Sequence, residues 1–323
     1  MMTRTIGTWL SAPGLLLAGL SGSAFAQSNE LAAESGGARD VGATQQALAS
    51  DFTDVSGKVS VRIKTCPWTP LPEQYPTATC QIESDYVLVG GGAEIDGEGV
   101  PGALITGSYP DADLTTWTAE SKDHEIEFRH RLRAYAIGLK LESVSPNELR
   151  QHLRVATQLS SSSNHPVAAA VLPPGYKLIG GGAKAHWETS GLLLTESYPN
   201  GSAWVAAAKD HNYAEIGTVE SYAIGITDAE IGDFGQVGVS VISAITQSET
   251  GYGGASVAVP SGWALTSVGG IADYDANGRL LSDLVPFVDP NSPTQPGAWV
   301  TSKDHTVPDS GYTFGYSVAI RHR

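Results

Sequence analysis

The strongest constraint on this chain is that it writes one unit three times. "WTAESKDH" at residues 117–124 returns as "WVAAAKDH" at 204–211 and as "WVTSKDH" at 299–305. A glycine-rich apolar run precedes each copy: "VLVGGGA", "KLIGGGA" and "TSVGGIA". "LITGSYP", "LLTESYP" and "LSDLVP" come next, and "YAIGL", "YAIGI" and "YSVAI" close the units. Asp123 to Asp210 is 87 positions and Asp210 to Asp304 is 94, yet each repeated lysine stands 13 before its tyrosine (Lys122–Tyr135, Lys209–Tyr222, Lys303–Tyr316). A fixed internal spacing with variable loops outside it marks one supersecondary unit used repeatedly. The units run over 51–142, 143–227 and 228–323.

Within a unit, short runs rich in Val, Ile, Thr, Tyr and Trp alternate with Gly, Pro, Asp and Asn turns, as in "VSVRIKT", "YVLVGGGAEI", "ALITGSY" and "LRAYAIGLKL". That is the pattern of β-strands. Only "NELRQHLRVA" at 147–156 suggests a helix. "DANG" at 275–278 carries an Asn-Gly hairpin signal. The expected fold is all-β: three pseudo-symmetric lobes of about 90 residues, arranged as a prism around a shared core, or else as three small sandwiches in tandem. Units this small gain most from a common core, which favours the prism. The glycine triplets Gly90–Gly92 and Gly180–Gly182 are followed by no phosphate-loop pattern, so close backbone approach is their expected role.

Ahead of the repeats, Arg4, an apolar run from Leu10 to Leu20 and "AFA" at 24–26 read as a secretory signal over 1–26. Residues 27–50 read as a flexible leader or pro-segment. The protein is therefore expected to be secreted, periplasmic or cell-surface by bacterial-type export. No later apolar run is long enough to span a bilayer as a helix, which leaves a β-barrel untested. Cys66 and Cys80 are its only cysteines, and in an exported chain they predict one local disulfide. The net charge of −15 argues against nucleic acid and anionic membranes as partners.

The string GGGA…SYP…W…SKDH…YAIG resembles a repeat of uncharacterised exported bacterial and fungal proteins, over nearly all of residues 55–323. The three-fold β layout is similar to that of β-prism lectins in architecture. By that alignment the third lobe lacks the third glycine and the Ser-Tyr-Pro.

Along a strand, side chains alternate faces, so Trp117 shares a face with Asp123 while Lys122 and His124 take the other. Trp204, Asp210, Lys209 and His211 repeat this. Trp299 stands one residue closer to Lys303, which swaps its face relative to Asp304 and His305 unless a bulge intervenes. One reading is structural: aspartates tying turns, lysines paired, tryptophans in the core. A second is polysaccharide recognition. Rings Trp117, Tyr109, Trp204 and Tyr198 would be platforms for sugar C–H faces and the Lys-Asp-His groups their polar rim, with avidity from repetition. A third is a glycoside hydrolase acting on a cell-wall polysaccharide such as β-glucan. It would pair Asp123, Asp210 or Asp304 with a second carboxylate such as Glu94, Glu98, Glu188 or Glu196. Ser121, Asp123 and His124 suggest a nucleophile triad, but Ala208 replaces the serine in lobe 2 and no G-x-S-x-G occurs. A lectin-like secreted protein is the leading expectation. The hydrolase comes second and a structural surface protein third.

Metal signals are sparse. Asp273, Asp275 and Asn277 open like a calcium loop, but Leu284 stands where the closing glutamate belongs. Three Asp-His pairs aimed inward at a pseudo-three-fold axis would suit a metal, yet no H-E-x-x-H spacing accompanies them, and no metal ligand is assigned from sequence.

Overall fold

A computed structural model describes residues 47–97, 102–189, 191–246, 250–275, 278–288 and 295–323. The stretch read as a signal, most of that read as a leader, Glu98, and Asn277 with the expected hairpin turn lie outside the described residues. Strand β1 (Leu48–Thr53) begins inside the stretch read as leader. The first lobe continues with β2 (Val59–Thr65), β3 (Thr77–Gln81), β4 (Val87–Ile95), β5 (Leu104–Pro110), β6 (Thr116–Lys122) and β7 (Leu132–Leu141). The second holds a short helix α1 (Pro146–Gln151), then β8 (Leu153–Leu159), β9 (Val167–Val171), β10 (Tyr176–His186), β11 (Leu193–Asn200), β12 (Ala203–Lys209) and β13 (Thr218–Thr227). The third holds β14 (Val237–Ile245), β15 (Tyr252–Ala258), β16 (Ala264–Ala272), β17 (Arg279–Val288), β18 (Pro296–Asp304) and β19 (Thr313–His322).

The protein is all-β, as expected, and its three sheets are composites. One runs β1-β2-β7-β4-β17-β18-β15, the second β3-β6-β5-β10-β13-β8, and the third β14-β19-β16-β11-β12-β9. Every sheet takes three repeated strands from one lobe and three from another. The seams lie at equivalent places: Leu284 opposite Ala93, Ala183 opposite Ser108, and Ser197 opposite Gly270. This is the prism, not three tandem sandwiches, because no lobe owns a whole sheet. All strand pairs are antiparallel, and both strands at each seam carry a bulge in the same relative position.

Register explains the glycines. Gly92, Gly182 and Gly269 each stand opposite the repeated tyrosine of their lobe (Tyr135, Tyr222, Tyr316). A Cβ on any of them would sit 2.2–2.7 Å from a carbonyl oxygen across the seam (Leu284, Ser108, Ser197). Close approach of two backbones is what these positions require. Lobe 3 thus keeps the third glycine and lacks the first two, whose places are taken by Ser267 and Val268. The letter-by-letter alignment is shifted by two.

The helix read over 147–156 is also corrected. Ser145 caps it through the Glu148 N–H, Pro146 supplies its first turn, and it stops at Gln151. From Leu153 on, pairing with β13 claims the chain as an edge strand. The Cys66–Cys80 disulfide forms, joining the end of β2 in the first sheet to β3 in the second. Among the described residues no helix is long and apolar enough to cross a membrane.

Candidate functional site

The repeated clusters lie at the ends of β6, β12 and β18, in equivalent places. The tryptophans are not sugar platforms. Trp117 is 1% exposed and Trp204 is fully buried. Each indole lies on a glycine, Gly91 or Gly181, whose added Cβ would stand 2.3 Å from the ring. Each indole N–H donates to the serine of its Ser-Tyr-Pro, Ser108 at 2.9 Å and Ser197 at 3.0 Å. Burial of an aromatic ring with its one polar group satisfied is a core role. In lobe 3, Ala298 stands opposite Pro286 as Trp117 stands opposite Pro110 and Trp204 opposite Pro199. No bulge restores Trp299, which turns to the other face and packs on Gly254. The same lobe has Val268 where the others have the glycine beneath the ring, so ring and glycine are lost together.

The lysines are not a polar rim either. Lys122, Lys209 and Lys303 are 0%, 1% and 5% exposed. Lys122 donates to the Thr189 carbonyl at 3.0 Å and stands 4.3 Å over the Trp187 ring, so lobe 1 plugs a loop of lobe 2. Lys209 stands 3.6 Å over Tyr274, plugging lobe 3 in the same way. Burial lowers all three to a pKa of about 8, against partial support from Glu215 and Asp123 for Lys122, Asp309 and neighbours for Lys209, and Asp283 for Lys303.

The aspartates tie loops. Asp123 accepts the Phe128 N–H at 3.0 Å. Asp210 accepts from the Asn164 amide at 2.7 Å and lies 3.1 Å from the His165 ring nitrogen. Asp304 accepts the Gly251 and Asp309 N–H groups at 2.7 and 2.9 Å. These bonds fix the strand ends, and they occupy carboxylates that a hydrolase would need free. Of the suggested partners, Glu188 is exposed in the loop after β10, Glu94 pairs with Arg133 on the first sheet, and Glu196 lies on the third. Ser121 meets a histidine, but it is His130 rather than His124. Its Oγ is 2.8 Å from His130 Nε2, both residues are buried, and His130 Nδ1 faces the Phe128 carbonyl. A sealed pair without a carboxylate on its far nitrogen is not a triad. Asp273 and Asp275 are exposed at the end of β16, where Asp309 holds the Asp275 and Gly278 N–H groups.

The histidines converge. His124, His211 and His305 are each buried to within 2%, and their ring centres stand 5.0, 5.1 and 5.4 Å apart. Their placement is the same in each lobe. The backbone N–H of each donates to a glycine carbonyl at the start of the lobe's fourth repeated strand (Gly102, Gly191, Gly278). The next residue but one donates back to the histidine carbonyl at 2.6 Å. The residue between, Glu125, Asn212 or Thr306, therefore adopts a left-handed φ of 58°, 57° or 56°. These three side chains bond to one another above the rings: Asn212 to Thr306 at 2.7 Å, and Thr306 to Glu125 at 2.9 Å. A fully buried trio, Leu104, Leu193 and Leu280, packs together at the strand positions opposite the three lysines. Sequence reading named the histidines but not this capping layer, whose only signal was its position one residue after each histidine. Burial, then mutual repulsion, lowers His211 and His305 to a pKa of about 4, so both are neutral near pH 7.

A different surface carries the remaining candidates. Tyr109 and Tyr198 are half-buried on the outer faces of the sheets, and each stacks on a tyrosine from the neighbouring lobe. Tyr109 meets Tyr222 at 5.5 Å and 16°, and Tyr198 meets Tyr316 at 5.4 Å and 29°. Around the first pair, Lys184 donates to the Tyr109 hydroxyl at 3.0 Å and to Glu120 at 2.9 Å, and Tyr222 donates to Glu220 at 2.8 Å. In comparisons with known proteins, no family model and no curated protein matches this chain.

Proposed function

We propose that this is an exported polysaccharide-recognition protein whose sugar platforms are the tyrosine pairs on its sheet faces. The observation that carries the reading is the repetition of an outward-facing stacked pair at two equivalent seams, Tyr109–Tyr222 and Tyr198–Tyr316. A partly exposed aromatic surface offers an apolar plane, and the Lys184, Glu120 and Glu220 groups beside the first pair offer donors and acceptors for hydroxyls. Two such places fixed on one rigid body favour a repetitive polymer through effective concentration. The disulfide supports export to an oxidising compartment. This reading keeps the glycan class expected from sequence and moves the site from the buried tryptophans to the tyrosines.

The test is a panel of immobilised polysaccharides read for retention and for release of reducing ends. Tyr316→Ala is expected to weaken retention roughly tenfold through loss of one of two linked sites, while Tyr316→Phe, which keeps the ring, retains most of it. Release of reducing ends would establish the hydrolase instead. No retention on any glycan would leave the tyrosine pairs as seam packing and favour a structural surface protein.

A further inference from the structure

At the pseudo-three-fold axis, independently of the sheet faces, we infer that His124, His305 and Glu125 form a binding site for one divalent transition-metal ion of the zinc class. Ligand-capable atoms of His124, Glu125 and His305 lie within 4.8 Å of one another. His124 Nε2 stands 3.0 Å from His211 Nδ1 and 3.5 Å from the Glu125 carboxylate. Around a tetrahedral ion with metal–ligand distances near 2.0–2.1 Å, neighbouring donor atoms stand about 3.3 Å apart and imidazole centres about 5.2 Å apart. The 3.5 Å from His124 Nε2 to the Glu125 carboxylate and the 5.1 Å between the His124 and His305 ring centres match those values.

A second, independent observation points to a ligand. The Nε2 atom of His305 is buried without a hydrogen-bond partner, on a residue 2% exposed. Leaving such a group unsatisfied costs about 1–3 kcal/mol, a cost that a bound ion would remove. Two imidazoles with one carboxylate suit zinc, and disfavour magnesium or calcium, which take oxygen ligands. The left-handed turn after His124 sets Glu125 beside it, with the carboxylate 3.5 Å from His124 Nε2.

The experiment uses the tag-free full chain, stripped with chelator and titrated with Zn²⁺ and Co²⁺. The expected result is one equivalent bound per chain, visible cobalt bands of a tetrahedral site, and a rise in Tm with Zn²⁺ that chelator reverses. His305→Gln is expected to weaken binding at least about 100-fold and Glu125→Gln about tenfold, ligand losses being at least as large as those for outer-shell partners. Glu125 is at the surface, so its variant folds even if a buried histidine variant does not. If the stripped wild type binds no stoichiometric ion and its Tm ignores Zn²⁺, the inference fails. It fails equally if a folded Glu125→Gln protein and a folded His305→Gln protein both bind as tightly as wild type.

Discussion

Trp204 illustrates how a repeated residue acquires its role from its neighbours. Its ring is fully buried, lies on Gly181, and spends its N–H on Ser197. Truncating a buried aromatic removes transfer energy and leaves a cavity. Trp204→Ala is therefore expected to lose about 3–5 kcal/mol of stability, read by denaturant unfolding, while glycan retention per folded molecule stays unchanged. A loss of retention at unchanged stability would instead make the ring a contact residue. The same logic bears on lobe 3, where Ala298 takes the place of the indole and Val268, on a different sheet, takes the place of the glycine beneath it. Lysines 122 and 209 make the complementary point. A buried ammonium survives because a ring and a carbonyl or carboxylate of the next lobe receive it. Each is a peg between lobes, which is why the lysine repeats as faithfully as the core.

At the scale of elements, alternation and turn residues marked most strands, and the constant lysine-to-tyrosine spacing marked the register that places Gly92, Gly182 and Gly269 opposite their tyrosines. The one-residue shift before Lys303 correctly separated Trp299 from its counterparts. Which face was buried was not legible, because alternation fixes that two faces exist and leaves open which of them is covered. In these strands both faces near the seam are crowded: β4 and β10 are buried almost continuously. That is why tryptophans suited to a sugar site turned out to be core. Strand exchange between lobes was likewise invisible, since a seam leaves no mark in local pattern. The two cysteines were readable as a pair, but only the fold shows that they tie two sheets together at β2 and β3. Replacing both by alanine is expected to lower stability by about 3 kcal/mol, the chain-entropy value for a loop of this length. Denaturant midpoints of wild type and the double variant check this; equal midpoints would mean that the sheets hold that corner without it.

For the whole molecule, the axis is where the three lobes must agree, and its chemistry makes stability depend on pH. His211 and His305 have folded pKa values of about 4, against an ordinary value of 6.5. The unfolded chain therefore takes up protons in the window between these values while the folded one resists. The stabilising contribution is complete above pH 6.5, falls as pH decreases through the window, and is gone below about 4. For one histidine the change is on the order of 3 kcal/mol. Asp283, held up at about 6 by burial, works in the opposite direction between 6 and its ordinary 3.8, and Glu215, lowered to about 2 by the hydrogen bonds of its loop, acts only at lower pH. The comparison that isolates the axis is metal-free wild type against His305→Gln. Wild type is expected to lose stability from pH 6.5 to 4.5 more steeply than the variant, in denaturant melts at constant ionic strength. Parallel pH profiles would show that His305 is not buried as a neutral ring and that the lobes meet at the axis less tightly than the 5.0–5.4 Å ring separations require.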